Sequence, residues 1–172
     1  MISNHRLASA TQSSSINYND RPDGEISLVV IHNISLPPGE FNNPYIEQFF
    51  TNQLDFNAHS YFKTIQDLQV SAHLLIKRDG SIIQFVPFDK RAWHAGQSSF
   101  NGQDNCNDFS IGIELEGTDN LNYEAVQYQS LKTTLKQLKN YYPVQNIVGH
   151  SDIAPGRKTD PGEAFNWGAI KD

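Results

Sequence analysis

Cysteine is almost absent from this chain of 172 residues. Cys106 stands alone, which excludes an internal disulfide and any zinc site built from several thiolates, and it suits a reducing compartment. Long hydrophobic runs are missing as well, and no stretch approaches the roughly 20 apolar residues that a membrane helix needs. The opening segment, M-I-S-N-H-R-L-A-S-A-T-Q-S-S-S-I-N-Y-N-D, has no apolar centre of the kind a secretory signal carries, so the cytoplasm is the expected location. Positive charge is in deficit: Lys and Arg number 13 against 19 Asp and Glu, a formal net charge of −6. That balance argues against nucleic acid or an anionic membrane as a partner held by bulk electrostatics. Internal repeats and linkers are also lacking. Residues 1–17, with a Ser-rich tract at 9–15, read as a polar, solvated arm.

What is present fits one α/β domain over residues 1–172, with a central mixed sheet flanked by helices. Ile26 to Ile34 is a β-branched run, apolar on both faces, as in a strand covered on both sides. Leu36-Pro37-Pro38-Gly39 stops it, and a helical pattern with proline in its first turn runs from Pro44 to about Gln53. Residues 71–88 read as a hairpin turning at Arg78-Asp79-Gly80. In Ser110 to Gly117, alternation places Ile111, Ile113 and Leu115 on one face and Gly112, Glu114 and Glu116 on the other. The spacing of Leu131, Leu135, Leu138 and Tyr142 predicts the longest helix, from Tyr123 to about Tyr141 and ended by Pro143. A short strand, Gln145 to Gly149, follows.

Two of these strands end on histidines, His32 and His150, and strand ends are where open α/β sheets build their sites. Two imidazoles and a carboxylate would hold a zinc ion with a fourth position open to water; Asp160, shortly after His150, is the candidate third ligand. Lys158 lies on the same side of that extended segment and could stabilise an oxyanion, and Glu114 could take a proton. Plainer readings stand beside these. Asp152 can cap a turn, Lys158 can be a solvated charge, and Glu114 with Glu116 can be an exposed strand face. Cys106 can be a nucleophile paired with His94 or His73, or a small buried hydrophobe. Trp93 reads equally as a wall for a sugar ring or as a core tryptophan beside a turn.

Taken together, V-I-H-N-I-S-L-P-P-G-E-F (30–41), V-S-A-H (70–73), R-D-G (78–80), V-P-F-D-K-R-A-W-H-A-G (86–96), C-N-D-F-S-I-G-I-E-L-E-G-T-D (106–119) and G-H-S-D-I-A-P-G-R-K-T-D-P-G (149–162) resemble the AmpD-type N-acetylmuramoyl-L-alanine amidases. The similarity covers nearly the whole chain from about residue 18. It implies a fold shared with peptidoglycan recognition proteins and one zinc per chain held by His32, His150 and Asp160, with Glu114 and Lys158 as the catalytic pair. The implied reaction is hydrolysis of the amide between N-acetylmuramic acid, preferably in its 1,6-anhydro form, and L-alanine of the stem peptide. The implied substrate is a small soluble muropeptide arising in cell-wall recycling. Asn33 and Trp93 lie in matching blocks as candidate substrate contacts. Gln69 and Asn105 depart from the pattern, being neutral where relatives tend to carry basic residues. A muropeptide-binding module without activity is the competing reading; it has no physical need for all five site groups.

Overall fold

A computed structural model describes residues 1–171. The chain begins with two short strands, β1 (Ile2–Ser3) and β2 (Arg6–Leu7), paired antiparallel, followed by β3 (Thr11–Gln12) and β4 (Tyr18–Asp20). This corrects the expectation of a free arm over residues 1–17, although the Ser-rich tract from 9 to 14 is exposed or half-buried. Ile2 and Leu7 are buried in the main core, and β3 adds to the edge of the central sheet. Ser15 Oγ donates to the Phe50 carbonyl (2.5 Å) and Asn17 Nδ2 to the Val70 carbonyl (2.8 Å). A segment whose few hydrophobes are irregularly spaced, with only Ile2 and Leu7 buried, shows no periodicity, yet its polar side chains can be buried once they satisfy backbone groups.

Next come β5 (Leu28–Ile34), α1 (Tyr45–Phe50), a 3-10 turn at Ser60–Ile65, β6 (Leu74–Ile76) and β7 (Ile82–Gln84). Then follow β8 (Lys90–Ala92), β9 (Ser99–Phe100), β10 (Gln103–Asp104), β11 (Ser110–Glu116), α2 (Ala125–Tyr141), β12 (Asn146–Gly149) and α3 (His150–Ile153). The main sheet has the order β12-β5-β11-β6-β7-β3 and is mixed. β5 runs parallel to both β11 and β12, β11 runs parallel to β6, and β6 pairs antiparallel with β7 in the hairpin read at Asp79-Gly80. Gly80 sits at φ +80°, the left-handed conformation that turn requires.

The alternation foreseen along β11 holds. Ile111, Ile113 and Leu115 join Val29 and Ile31 of β5 under Leu131, Leu135 and Leu138 of α2. That helix opens with the Glu124 backbone N–H donating to Gln127 Oε1 (3.0 Å), a reciprocal cap, and it gives way at Tyr142, just before Pro143. On the other side α1 contributes Ile46, Phe49 and Phe50, packed with Phe62, Leu75, Ile83 and Phe85. Pro44 precedes that helix instead of lying in its first turn, and the helix is shorter than its pattern. The polar face of β11 is not exposed, because both glutamates are buried in this central strand. Glu116 accepts the backbone N–H groups of Asn42 and Arg78, both at 3.0 Å.

Candidate active site

Three parallel strands deliver their carboxyl ends to one edge, and register decides what meets there. His32 of β5 stands beside Glu114 of β11. Gly149 pairs with Ile31, so the next residue, His150, enters α3 alongside His32. The loop after α3 brings back Asp160, whose carbonyl accepts the Ser151 N–H (3.0 Å). Asp119 braces the loop by accepting from Thr159 Oγ1 (2.5 Å) and Asn33 Nδ2 (2.7 Å). Asn33 Nδ2 and the Tyr123 hydroxyl also donate to the Pro161 carbonyl.

The outcome is a compact donor set. His32 Nδ1 lies 3.0 Å from His150 Nδ1, and each lies 3.1 Å from Asp160 Oδ2. Both histidines are buried and the aspartate is partly buried. Burial lowers the His32 pKa to about 4 despite the neighbouring carboxylate. Burial pushes Asp160 upward, but the two adjacent imidazoles outweigh it and hold the carboxyl well below its ordinary range. A neutral His32 thus faces an ionised aspartate.

The outer nitrogens test whether a cation fits. His150 Nε2 is 3.0 Å from the Ala95 carbonyl, an acceptor only, so Nε2 carries a proton, and a ring protonated there alone has a bare Nδ1. That bare nitrogen looks at a carboxylate oxygen, lone pair against lone pair, which a cation between them would relieve. Two imidazoles and a carboxylate are a common set for a catalytic metal, and the ligand atoms lie within 4.8 Å of one another.

Around this cluster opens a cleft of about 600 Å³, lined by Trp93, Glu114 and Lys158 as well as the three donors, with an apolar wall of Phe49, Phe50, Tyr61 and Leu68. Glu114 is 8% exposed and its Oε2 has no hydrogen-bond partner among the described residues. Burial raises its pKa well above the usual value, Asp160 adds to the rise, and Lys158 opposes it. Lys158 is exposed at the cleft margin.

Other sequence-derived candidates fare differently. Trp93 lines the cleft, half-buried and outside the core, with its indole N–H donating to Asn19 Oδ1 (2.7 Å). Asn33 also lines the cleft, with its amide N–H groups engaged in bracing. Asp152 caps, its Oδ2 accepting the Gly149 N–H at 2.7 Å. Gln69 is exposed between the cleft residues Leu68 and Val70, whereas Asn105 lines a separate groove. The nucleophilic reading of Cys106 is overturned: the thiol is buried against Leu28, Val30 and Ile153, and burial raises its pKa. Neither histidine proposed for it is directed there. His73 binds the Gly112 N–H through Nδ1 and the Lys90 carbonyl through Nε2, and His94 binds His32 and Ser110. The bracing role of Asp119 was missed, although it lies within the same G-T-D block as Gly117.

A parallel-strand edge with two imidazoles and a carboxylate, open to a cleft and flanked by a buried acid and a lysine, has the makings of a hydrolytic centre on a mixed α/β sheet, with a donor cluster compatible with a metal ion. Comparison with known proteins makes this particular. Residues 22–163 match the family model described as N-acetylmuramoyl-L-alanine amidase, and the chain belongs to that family. It is 57% identical over 168 residues to the 1,6-anhydro-N-acetylmuramyl-L-alanine amidase AmpD of Citrobacter freundii, covering 96% of this chain and 90% of that protein. A crystal structure of a selenomethionine AmpD derivative superposes with a TM-score of 0.97 at 55% identity, covering 99% of this chain and 97% of that one. At 30% identity and a TM-score of 0.59, over 96% of this chain and 59% of that one, it is similar to Escherichia coli AmiD in complex with its substrate anhydro-N-acetylmuramic acid-L-Ala-D-gamma-Glu-L-Lys. A likeness of fold alone extends to the Drosophila peptidoglycan recognition protein SD, with 18% identity, a TM-score of 0.59, and coverage of 86% of this chain and 80% of that one.

Proposed function

We propose that this chain hydrolyses the amide joining N-acetylmuramic acid, in its 1,6-anhydro form, to L-alanine of the stem peptide, using one zinc ion held by His32, His150 and Asp160. The observation that carries the reading is the convergence of those three donors beside Glu114, the register neighbour of His32. When bound, zinc supplies Lewis acidity and lowers the pKa of water toward neutrality. The chain's own residues do the rest. Glu114, buried and with one oxygen unpartnered, accepts the proton of the attacking water and passes it to the departing alanine nitrogen. A raised pKa suits both halves of that task, since the group must take a proton and then release it. Lys158 places its ammonium where negative charge develops on the carbonyl oxygen. Trp93 and the apolar wall exclude water and receive the compact sugar.

The names of the relatives support the anhydro form and a small soluble muropeptide as ligand; a place in cell-wall recycling and the cytoplasm as location belong to the same proposal. A pure binding module would leave the buried, unpartnered Glu114 without a purpose. The deciding experiment incubates purified protein with anhydro-muropeptide before and after chelation, with peptide release followed by chromatography. Release that stops on chelation and returns with zinc is expected. Undiminished release from fully stripped protein would overturn the metal reading.

A further inference from the structure

The metal reading gives His32 a requirement of its own. Its Nδ1 must be bare, so its Nε2 must carry the ring proton and give it to an acceptor. For His150 the acceptor is the Ala95 carbonyl, which can do nothing else. For His32 the group in that position is another side chain: His94 Nδ1, 2.9 Å from His32 Nε2, with the rings nearly perpendicular at 85°. An imidazole can donate or accept there, so something must choose.

One feature of the surroundings allows His94 to accept, and two hold its ring in place. His94 Nε2 lies 3.1 Å from Ser110 Oγ, a hydroxyl able to accept its proton, so the ring can keep Nδ1 as an acceptor facing His32. The ring occupies a space that the sheet keeps open at Gly112, where an added Cβ would come within 2.4 Å of His94 Cγ. The backbone beneath it is pinned by the buried Asn107, whose Oδ1 accepts the N–H groups of both His94 (3.1 Å) and Ala95 (2.8 Å). One dipeptide, anchored by one carboxamide, therefore faces the outer nitrogens of both proposed ligands.

We propose that His94 is a positioning residue for the metal centre: held by Ser110 and seated over Gly112, it accepts the Nε2 proton of His32 and so fixes the tautomer and orientation in which His32 Nδ1 can bind the metal. The proposal rests on the zinc reading above. It differs from the usual arrangement, in which a carboxylate or a backbone carbonyl takes the outer proton of a metal-ligating histidine. Here the acceptor is uncharged and can be replaced without altering the backbone. Such outer partners typically contribute about 10–100-fold to metal affinity.

The test measures zinc dissociation constants by chelator competition for the wild type, His94→Asn and His94→Leu, together with the thermal stability of each metal-free protein. Asparagine can place Oδ1 near the position of His94 Nδ1, whereas leucine has no acceptor. The expectation is zinc affinity within a few-fold of wild type for His94→Asn and a loss of about 10–100-fold for His94→Leu. A purely structural role would lower both variants' metal-free stability and leave affinity unchanged in whatever folds, and that result would overturn the proposal. Nitrogen-15 spectra of the zinc-loaded wild-type imidazoles give a check that needs no variant: His32 and His94 should both be protonated at Nε2. A His94 protonated at Nδ1 would refute the role. Tight zinc in the wild type with equal affinity in His94→Leu would sink this inference alone; no zinc in the wild type would remove the metal centre and this role together.

Discussion

Replacing Glu114 with glutamine should make the protein inactive and more stable at once. Glu114 is 8% exposed and its Oε2 has no partner, so the ionised side chain holds an unsatisfied, charged oxygen away from water. A buried unsatisfied polar group costs about 1–3 kcal/mol, and a charged one more. Burial, then Asp160, raises the pKa well above its reference value of 4.5, with Lys158 offsetting part of the rise. In the unfolded chain the proton is lost near that reference value, while the folded chain keeps it to higher pH. Between the two values the native state binds more protons, so stability falls as pH rises, and above the folded value the whole penalty is present. Glutamine has the same shape and no such titration. Metal-free Glu114→Gln should therefore exceed the wild type by about 1–3 kcal/mol above that window, with the gap closing as pH is lowered through it. Turnover of the metal-loaded variant should fall by about 10²–10⁴-fold with zinc retained. Urea denaturation of chelated protein across the window, with turnover measured in parallel, reads both effects. A stability gap that is absent or independent of pH would show that the carboxylate is paired or hydrated, and near-normal turnover would move the base elsewhere.

Lys158→Ala should keep its zinc and lose kcat more than it gains KM, and Lys158→Arg should rescue it incompletely because the planar guanidinium presents its donors differently; a change confined to KM would reduce Lys158 to a ground-state binding contact. Cys106→Ala should leave kcat within about two-fold of wild type, in line with a thiol that is buried and whose pKa burial raises, and native protein should resist thiol reagents; loss of turnover in a folded variant would revive the nucleophile. Deleting residues 1–17 should cost several kcal/mol, since Ile2 and Leu7 alone contribute about 1.5–3 kcal/mol each by burial; an unchanged urea midpoint would mean that the segment is a solvated arm after all.

The parts of this molecule that were legible in sequence are those whose signal is local. A β-branched run bounded by Pro-Pro-Gly, an Asp-Gly turn and a leucine period each state their own conformation, and β5, the β6–β7 hairpin and α2 follow. His32 and His150 could be noticed because they end such runs. Alternation along β11 gave the face on which Glu114 lies but carried no information about what covers that face, and so an exposed acidic strand remained open as a reading when the side chain is in fact enclosed. His94 shows the limit more sharply. W-H-A-G has no period and the histidine could be read as a partner for Cys106 or as part of a wall; the role proposed for it depends on Gly112 leaving room and on Ser110 and His32 lying within hydrogen-bond reach, and those three come from two strands that lie side by side only after the sheet has formed. The same logic covers the N-terminal segment, where polar side chains are buried because they complete distant backbone hydrogen bonds. Groups that react announce themselves by residue type, whereas groups that hold them are chosen by geometry: an asparagine, a serine and a glycine, none of them chemically conspicuous, seat the His94–Ala95 dipeptide that faces the outer nitrogens of both imidazoles.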